Sequence, residues 1–189
     1  MTNKLTNSKG YLIYSPIDRV LYNAVTKRDL VKARAALKGG ANANLQIHMY
    51  TALEQKDFFE SILVYTIRNW HKQDRLAYLK LVKLLLEYGA NPNQNDASGC
   101  TPLLRAVRSY SVYANQVVQA LIKAGADVNG VCRCTRGETG ESCGGTALKL
   151  TLMLSEEPEF KLVPKIIKTL LKAGAIIPEE LANHPKLIE

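Results

Sequence analysis

The chain is poor in several residue types, and each shortage closes off a class of function. Among its 189 residues there are one Trp, three Phe, three Met, three His and four Cys. His48, His71 and His184 have no partner at the spacing of a metal site or catalytic triad, so surface roles are expected for them. No apolar run approaches the roughly 20 residues of a membrane-spanning helix. The opening stretch Met1 to Gly10 lacks the apolar core of a secretory signal, so an intracellular, cytoplasmic setting with reduced thiols is expected. The phosphate-cradling Gly-rich loop, the Gly-x-Ser-x-Gly elbow, His-Glu-x-x-His and the dinucleotide fingerprint are all missing. Asp18, Asp57 and Asp96 fall where helix caps or turns account for them. No enzymatic activity, cofactor or metal is therefore expected.

Acid is also scarce. Seventeen Asp and Glu face 25 Lys and Arg, for a net charge of +8. Residues 1–40 hold eight of the cations against only Asp18 and Asp29. Such an excess suits an acidic protein, a phosphate-bearing ligand or nucleic acid. No Lys/Arg run interleaved with aromatics appears, so nucleic acid is not the expected partner, and without an apolar span neither is a membrane. With 47% hydrophobic and 22% charged residues, the chain can bury a core as one domain or one short array.

What is present is a repeat. Four times a leucine-rich stretch ends in a Gly-Ala turn: Gly40-Ala41-Asn42-Ala43-Asn44, Gly89-Ala90-Asn91-Pro92-Asn93, Gly125-Ala126-Asp127-Val128-Asn129 and Gly174-Ala175-Ile176-Ile177-Pro178. The third unit is the clearest. Asp96 and Gly99 suit a tight turn, Thr101 a helix N-cap, and Pro102 the first helical position, where no N–H is needed. Leu103, Ala106 and Val107 make one buried face, and Gly125 ends the second helix.

This unit, Asp96-x-x-Gly99-x-Thr101-Pro102-Leu103-Leu104-x-Ala106 followed by Gly125-Ala126-Asp127-x-Asn129, closely resembles the ankyrin repeat, with Leu104 where the family usually has His. The other units are in register. The first has Ser15-Pro16, then Leu21, Ala24 and Val25, with Arg28 in place of the inter-helix Gly. The second runs through Ser61–Ile67 and a second helix over about Leu76–Tyr88; the fourth through Gly145–Leu152 and Val163–Ala173. Thr66 and Thr151 replace the small Ala.

The resemblance implies an all-α ankyrin-repeat solenoid of stacked helix-turn-helix units with projecting hairpin loops. Residues 1–13 form an extension. Residues 14–184 form a single domain with repeats at about 14–45, 46–94, 95–130 and 131–178, then a short capping helix before Pro185; 185–189 form a tail.

Gly40 to Gly89 and Gly125 to Gly174 each span 49 residues, against 36 between Gly89 and Gly125. Units two and four are therefore long, with the excess expected in the hairpin before helix A and in helix A or its link to helix B. In the first insertion, near Gln46–Gln55, Ile47, Met49, Tyr50 and Leu53 either fold back onto helix A or form an exposed contact patch. The second, Gly130–Gly145, holds Cys132, Cys134 and Cys143. Free thiols in a Gly-rich finger are expected. A Cys134–Cys143 disulfide, or a zinc site completed by Cys100, remain open alternatives. Trp70, in the link after helix A of unit two, covers a helix end or marks an interface.

The resemblance also implies the function: a non-enzymatic protein-interaction module that meets a partner at hairpin tips and the concave helix-A face; an array with capped ends is expected to be a monomer. The corresponding positions are Ala97, Ser98, Cys100, Arg108 and Ser109 in unit three, Thr26 and Lys27 in unit one, Arg68 and Asn69 in unit two, and Met153 and Leu154 in unit four; Trp70 joins them as a candidate contact on its residue type. Lys27, Arg68, Arg105 and Arg108 point to an acidic protein partner, and Arg133 and Arg136 suit a carboxylate or phosphate. Two other readings stand beside it. One is a dedicated inhibitor, immunity factor or host-directed effector that occludes a single target. The other is an array that binds a phosphate-rich ligand or nucleic acid.

Overall fold

A computed structural model describes residues 14–51, 56–69, 75–109, 112–132, 135–136, 141–142, 145–156 and 163–188. Four helix pairs follow one another: α1 (Pro16–Thr26) with α2 (Leu30–Lys38), α3 (Ile62–Arg68) with α4 (Arg75–Glu87), α5 (Pro102–Val107) with α6 (Ala114–Lys123), and α7 (Ala147–Met153) with α8 (Val163–Lys172). Within each pair the helices touch. Between pairs α3 meets α5, α5 meets α7, α2 meets α4, α4 meets α6 and α6 meets α8. The first helices thus form one layer and the second helices another, with the core between them. Among the described residues no helix is long and apolar enough to cross a membrane.

Local chemistry sets the helix starts. Ser15, Ser61, Thr101 and Thr146 each accept, through the side-chain hydroxyl, the N–H three residues on, and Pro16 and Pro102 occupy the first helical position. Leu21 and Val25, Leu63 and Ile67, Leu103 and Val107, and Leu148 and Leu152 are buried at the same positions of successive helices. Thr66 and Thr151 fill the small-residue position. Each is buried, and each hydroxyl donates to the carbonyl four residues back, Ile62 and Ala147, at 2.6 Å. That bond lets a polar side chain occupy an apolar seam without an unmet donor.

The four Gly-Ala turns place Gly40, Gly89, Gly125 and Gly174 at φ of +93, +83, +89 and +88. Arg28, between α1 and α2, adopts φ +60, where the family pattern has Gly.

The turns are joined by a ladder that runs the length of the array. Asn44 Nδ2 donates to Gly89 O at 3.0 Å, and its Oδ1 accepts from Asn91 N–H at 2.6 Å. Asn93 makes the same pair of bonds with Gly125 O (2.9 Å) and Asp127 N–H (2.7 Å). Asn129 repeats them with Gly174 O (3.1 Å) and Ile176 N–H (2.9 Å). Asp18 begins the ladder by accepting from Asn42 N–H at 2.8 Å. It ends in the fourth turn, where Pro178 stands in the position of the asparagine. An amide is required because each rung donates once and accepts once. Asn93→Ala, in the middle of the array, is expected to lower stability by about 1–2 kcal/mol through two lost bonds. Urea unfolding that moves by less than a few tenths of a kcal/mol would remove the ladder from the account of stability.

The extra residues of unit two form an antiparallel hairpin, β1 (Gln46–Thr51) with β2 (Lys56–Ser61), in the register Gln46↔Ser61 to Thr51↔Lys56. Ile47 is buried against the core, so here the insertion folds back. The side chains of Met49, Tyr50 and Leu53 lie outside the described residues. Helix A is barely lengthened, since α3 and α7 have seven residues each and α5 six; the remaining excess over unit three falls in α4, which has 13 residues against 10 in α6, and in unit four between α7 and α8. The tail also differs from expectation. A 3-10 turn covers Glu179–Leu181, and the last helix, α9 (Pro185–Ile188), begins at Pro185 rather than ending before it. Proline favours a helix start. Leu181 and Leu187 pack on the core, and Lys149 Nζ bonds Glu180 Oε1 at 2.8 Å.

In the second insertion β3 (Thr135–Arg136) pairs with β4 (Glu141–Ser142), and Cys132 bridges Gly145. The cysteine expectations need correction. Cys100 and Cys132 form a disulfide, with Cα atoms 4.6 Å apart and both residues buried. Their separation of 32 residues is close to one repeat period, so stacking brings adjacent hairpins within bridging range. Cys132 is therefore not a free thiol, and Cys100 is not available to complete a zinc site. Cys134 and Cys143 lie outside the described residues.

Candidate functional site

The helix-A layer presents α1, α3, α5 and α7 side by side, with the hairpins at one edge. At the end formed by units one and two, aromatic rings gather. Tyr14 stacks on Tyr22 with centroids 6.4 Å apart, and Tyr22 meets Tyr65 of α3 at 6.2 Å. Tyr14 Oη accepts from His48 N–H at 3.0 Å, and the His48 ring lies 5.4 Å from that of Phe59. Burial pushes the Tyr14 and Tyr65 phenols above their ordinary range.

Beside the rings stand two ion pairs. Arg68 Nη1 contacts Glu60 Oε1 at 2.7 Å, and Arg105 Nε donates to Asp96 Oδ2. The carboxylates are the hidden members: the Glu60 side chain is 1% exposed and that of Asp96 2%, against 42% for Arg68 and 21% for Arg105. Asp96 also accepts from Ser98 N–H at 2.8 Å and Cys100 N–H at 3.0 Å, which shapes the hairpin tip. Desolvation raises the Glu60 pKa above the usual carboxylate range, and Arg68 pulls it partly back.

These contacts sort the positions read from sequence. Lys27, Ala97 and Ser98 are exposed, and so is Met153. Thr26, Arg108 and Leu154 are half-buried. Asn69 and Ser109 are half-buried and serve helix ends: Asn69 Nδ2 donates to Tyr65 O at 2.8 Å, and Ser109 Oγ to Ala106 O at 2.7 Å. Cys100 is withdrawn from the contact set, because it is 1% exposed and bonded to Cys132. Trp70 and Arg133 lie outside the described residues, as does the side chain of Arg136 on β3. With a buried carboxylate behind each, Arg68 and Arg105 give this face two oriented guanidinium donors rather than two unbalanced charges.

Sequence reasoning did not find Glu60 or the tyrosine group. Glu60 meets Arg68 across the junction of β2 and α3, a separation of eight residues that no strand or helix periodicity singles out. Tyr22 and Tyr65 are brought together only by stacking of units. The second-helix layer carries a different feature, a cleft of about 530 Å³ between α4 and α6 lined by Lys83, Leu86, Glu87, Gln116, Gln119 and Lys123 among others.

Residues 21–132 and 75–178 match a family model of ankyrin repeats, in three copies. No curated protein matches the chain. Four stacked helix pairs, the Thr101-Pro102 helix start and the Gly-Ala turns agree with that match, which spans most of the chain, and the protein belongs to the ankyrin-repeat family.

Proposed function

We propose that the protein is a non-enzymatic binding module whose helix-A face and hairpin tips hold an acidic segment of another protein. Ankyrin repeats are in general protein–protein interaction modules. The observation that carries the finer reading is the pair of guanidinium groups on adjacent helices, Arg68 and Arg105, each oriented by a buried carboxylate. An arginine has five N–H donors, and one carboxylate contact leaves others directed outward. Holding the fork in place beforehand removes much of the ordering cost on binding. Lys27 and Arg108 add cationic character, Tyr22 and Tyr65 supply rigid aromatic surface, and Met153 supplies an adaptable apolar contact at the far end.

The test is affinity capture from source-cell lysate at low and moderate salt, using the wild type and a Lys27→Glu/Arg108→Glu variant. Arg68 and Arg105 are left unchanged so that Glu60 and Asp96 keep their partners. Retention of one acidic protein at both salts, with affinity about 10–100-fold weaker in the variant, supports the proposal. Equal capture by both proteins sinks it. A single enzyme held at nanomolar concentration would favour the dedicated-inhibitor form of the same reading.

A further inference from the structure

The excess positive charge lies on the other face. The four second helices contain ten basic residues: Lys32, Arg34 and Lys38 in α2, Arg75, Lys80 and Lys83 in α4, Lys123 in α6, and Lys165, Lys168 and Lys172 in α8. Against them these helices hold one acid, Glu87. Nine of the ten cations are exposed and Arg34 is half-buried. Lys32 pairs with the N-cap Asp29 at 3.0 Å and Arg34 with Glu87 at 3.4 Å. Among the described residues Lys80, Lys83, Lys123, Lys165, Lys168 and Lys172 make no ion pair.

Helix stabilisation does not account for this arrangement. Cations at Lys38, Lys123 and Lys172 suit helix C-termini, but Lys32, Arg75 and Lys165 stand in first turns, where the helix dipole disfavours positive charge. None of the four helices has an acid in its first turn.

We infer that this face docks on the anionic headgroups of a phospholipid surface. Three observations favour lipid over nucleic acid. The charges spread over four helices set about 10 Å apart, a broad patch rather than a track for one strand. Eight of the ten are Lys, which act as point charges, and no exposed aromatic is present among the described residues of these helices for base stacking. Aliphatic side chains stand among the cations: Val31 is 79% and Leu76 42% exposed, each on the outward side of its helix with Lys38 or with Lys80 and Lys83. Aliphatics gain from entering a headgroup layer and gain nothing against a phosphodiester backbone. The lack of an apolar span in the sequence bears on insertion only. A charged face binds headgroups from outside.

Co-sedimentation of the full chain with vesicles tests this, using pure phosphatidylcholine and a 7:3 phosphatidylcholine:phosphatidylserine mixture at 50 and 500 mM salt. The expected result is binding to the anionic vesicles alone and release at high salt, because screening shortens the electrostatic range. Lys80→Glu/Lys83→Glu/Lys168→Glu should bind at least about 100-fold more weakly, at roughly fivefold per charge. Val31→Ser/Leu76→Ser should weaken lipid binding several-fold and leave binding to a 30-base-pair duplex unchanged. Should the charge-reversed protein melt early, the Lys→Gln set at the same positions replaces it. Lys27→Glu/Arg108→Glu should bind vesicles like the wild type, which separates this face from the helix-A face. Equal binding to neutral vesicles, no binding to anionic ones, or an unaffected lysine variant would overturn the inference. So would duplex DNA bound more tightly than the anionic vesicles at equal salt.

Discussion

Arg68→Ala is expected to cost about 2–4 kcal/mol of stability at neutral pH, although the arginine itself is largely at the surface. The cost arises at Glu60. That side chain is 1% exposed, and Arg68 is the cation bonded to it at 2.7 Å. Removing the guanidinium leaves a carboxylate with its desolvation uncompensated, so the effect exceeds the about 0–1 kcal/mol typical of a surface ion pair. The pH dependence carries the signature. Burial already raises the Glu60 pKa in the folded state, so the native protein holds this proton more tightly than the unfolded chain does. Stability from this group therefore increases as pH falls through the raised folded value and levels off below the ordinary glutamate range. Without Arg68 the raised pKa moves further up, and the deficit of the variant should shrink on acidification. Glu60→Gln in the Arg68→Ala background should recover most of the loss. Urea unfolding between pH 4 and 8 measures all three. A deficit that is small and independent of pH would mean that Glu60 reaches water in solution.

Loss of the Cys100–Cys132 bond is the second large effect. The bond closes a loop spanning 32 residues. Chain entropy of the unfolded state assigns such a loop about 3–4 kcal/mol. The Cys100→Ala/Cys132→Ala variant, or the wild type with reductant, should unfold at correspondingly lower urea, with units three and four most affected because the bond joins their hairpins. Peptide mapping after thiol labelling of the denatured, unreduced protein should leave Cys100 and Cys132 unlabelled. Full labelling at both positions, with no difference in unfolding on reduction, would show that these thiols are not joined. Cys100 is also the clearest case of a position whose family role did not transfer, since a residue bonded beneath the hairpin cannot meet a partner.

The parts legible in the sequence are those governed by short-range chemistry. Thr101 and Pro102 start a helix wherever they occur, and Gly125 can take φ +89 at little cost because it has no Cβ. Leucine and valine at spacings of three and four make one buried stripe per helix, and a buried stripe on each of two helices implies a layered array. Repeat number, turn positions, caps and the Thr66 and Thr151 substitutions all follow from residues within one unit. Even the two long units were visible from glycine spacing alone. What tertiary structure decided lies between units or across a junction. It placed Glu60 behind Arg68 and Asp96 behind Arg105, and so changed the charge balance of the helix-A face. It brought Tyr22 to Tyr65 and Cys100 to Cys132. It also collected ten scattered cations on one side of the second-helix layer. The physical reason is the range of the forces involved. Helix propensity and capping act over three or four residues of chain, whereas burial, ion pairing and covalent bridging depend on which residues the stacking makes neighbours.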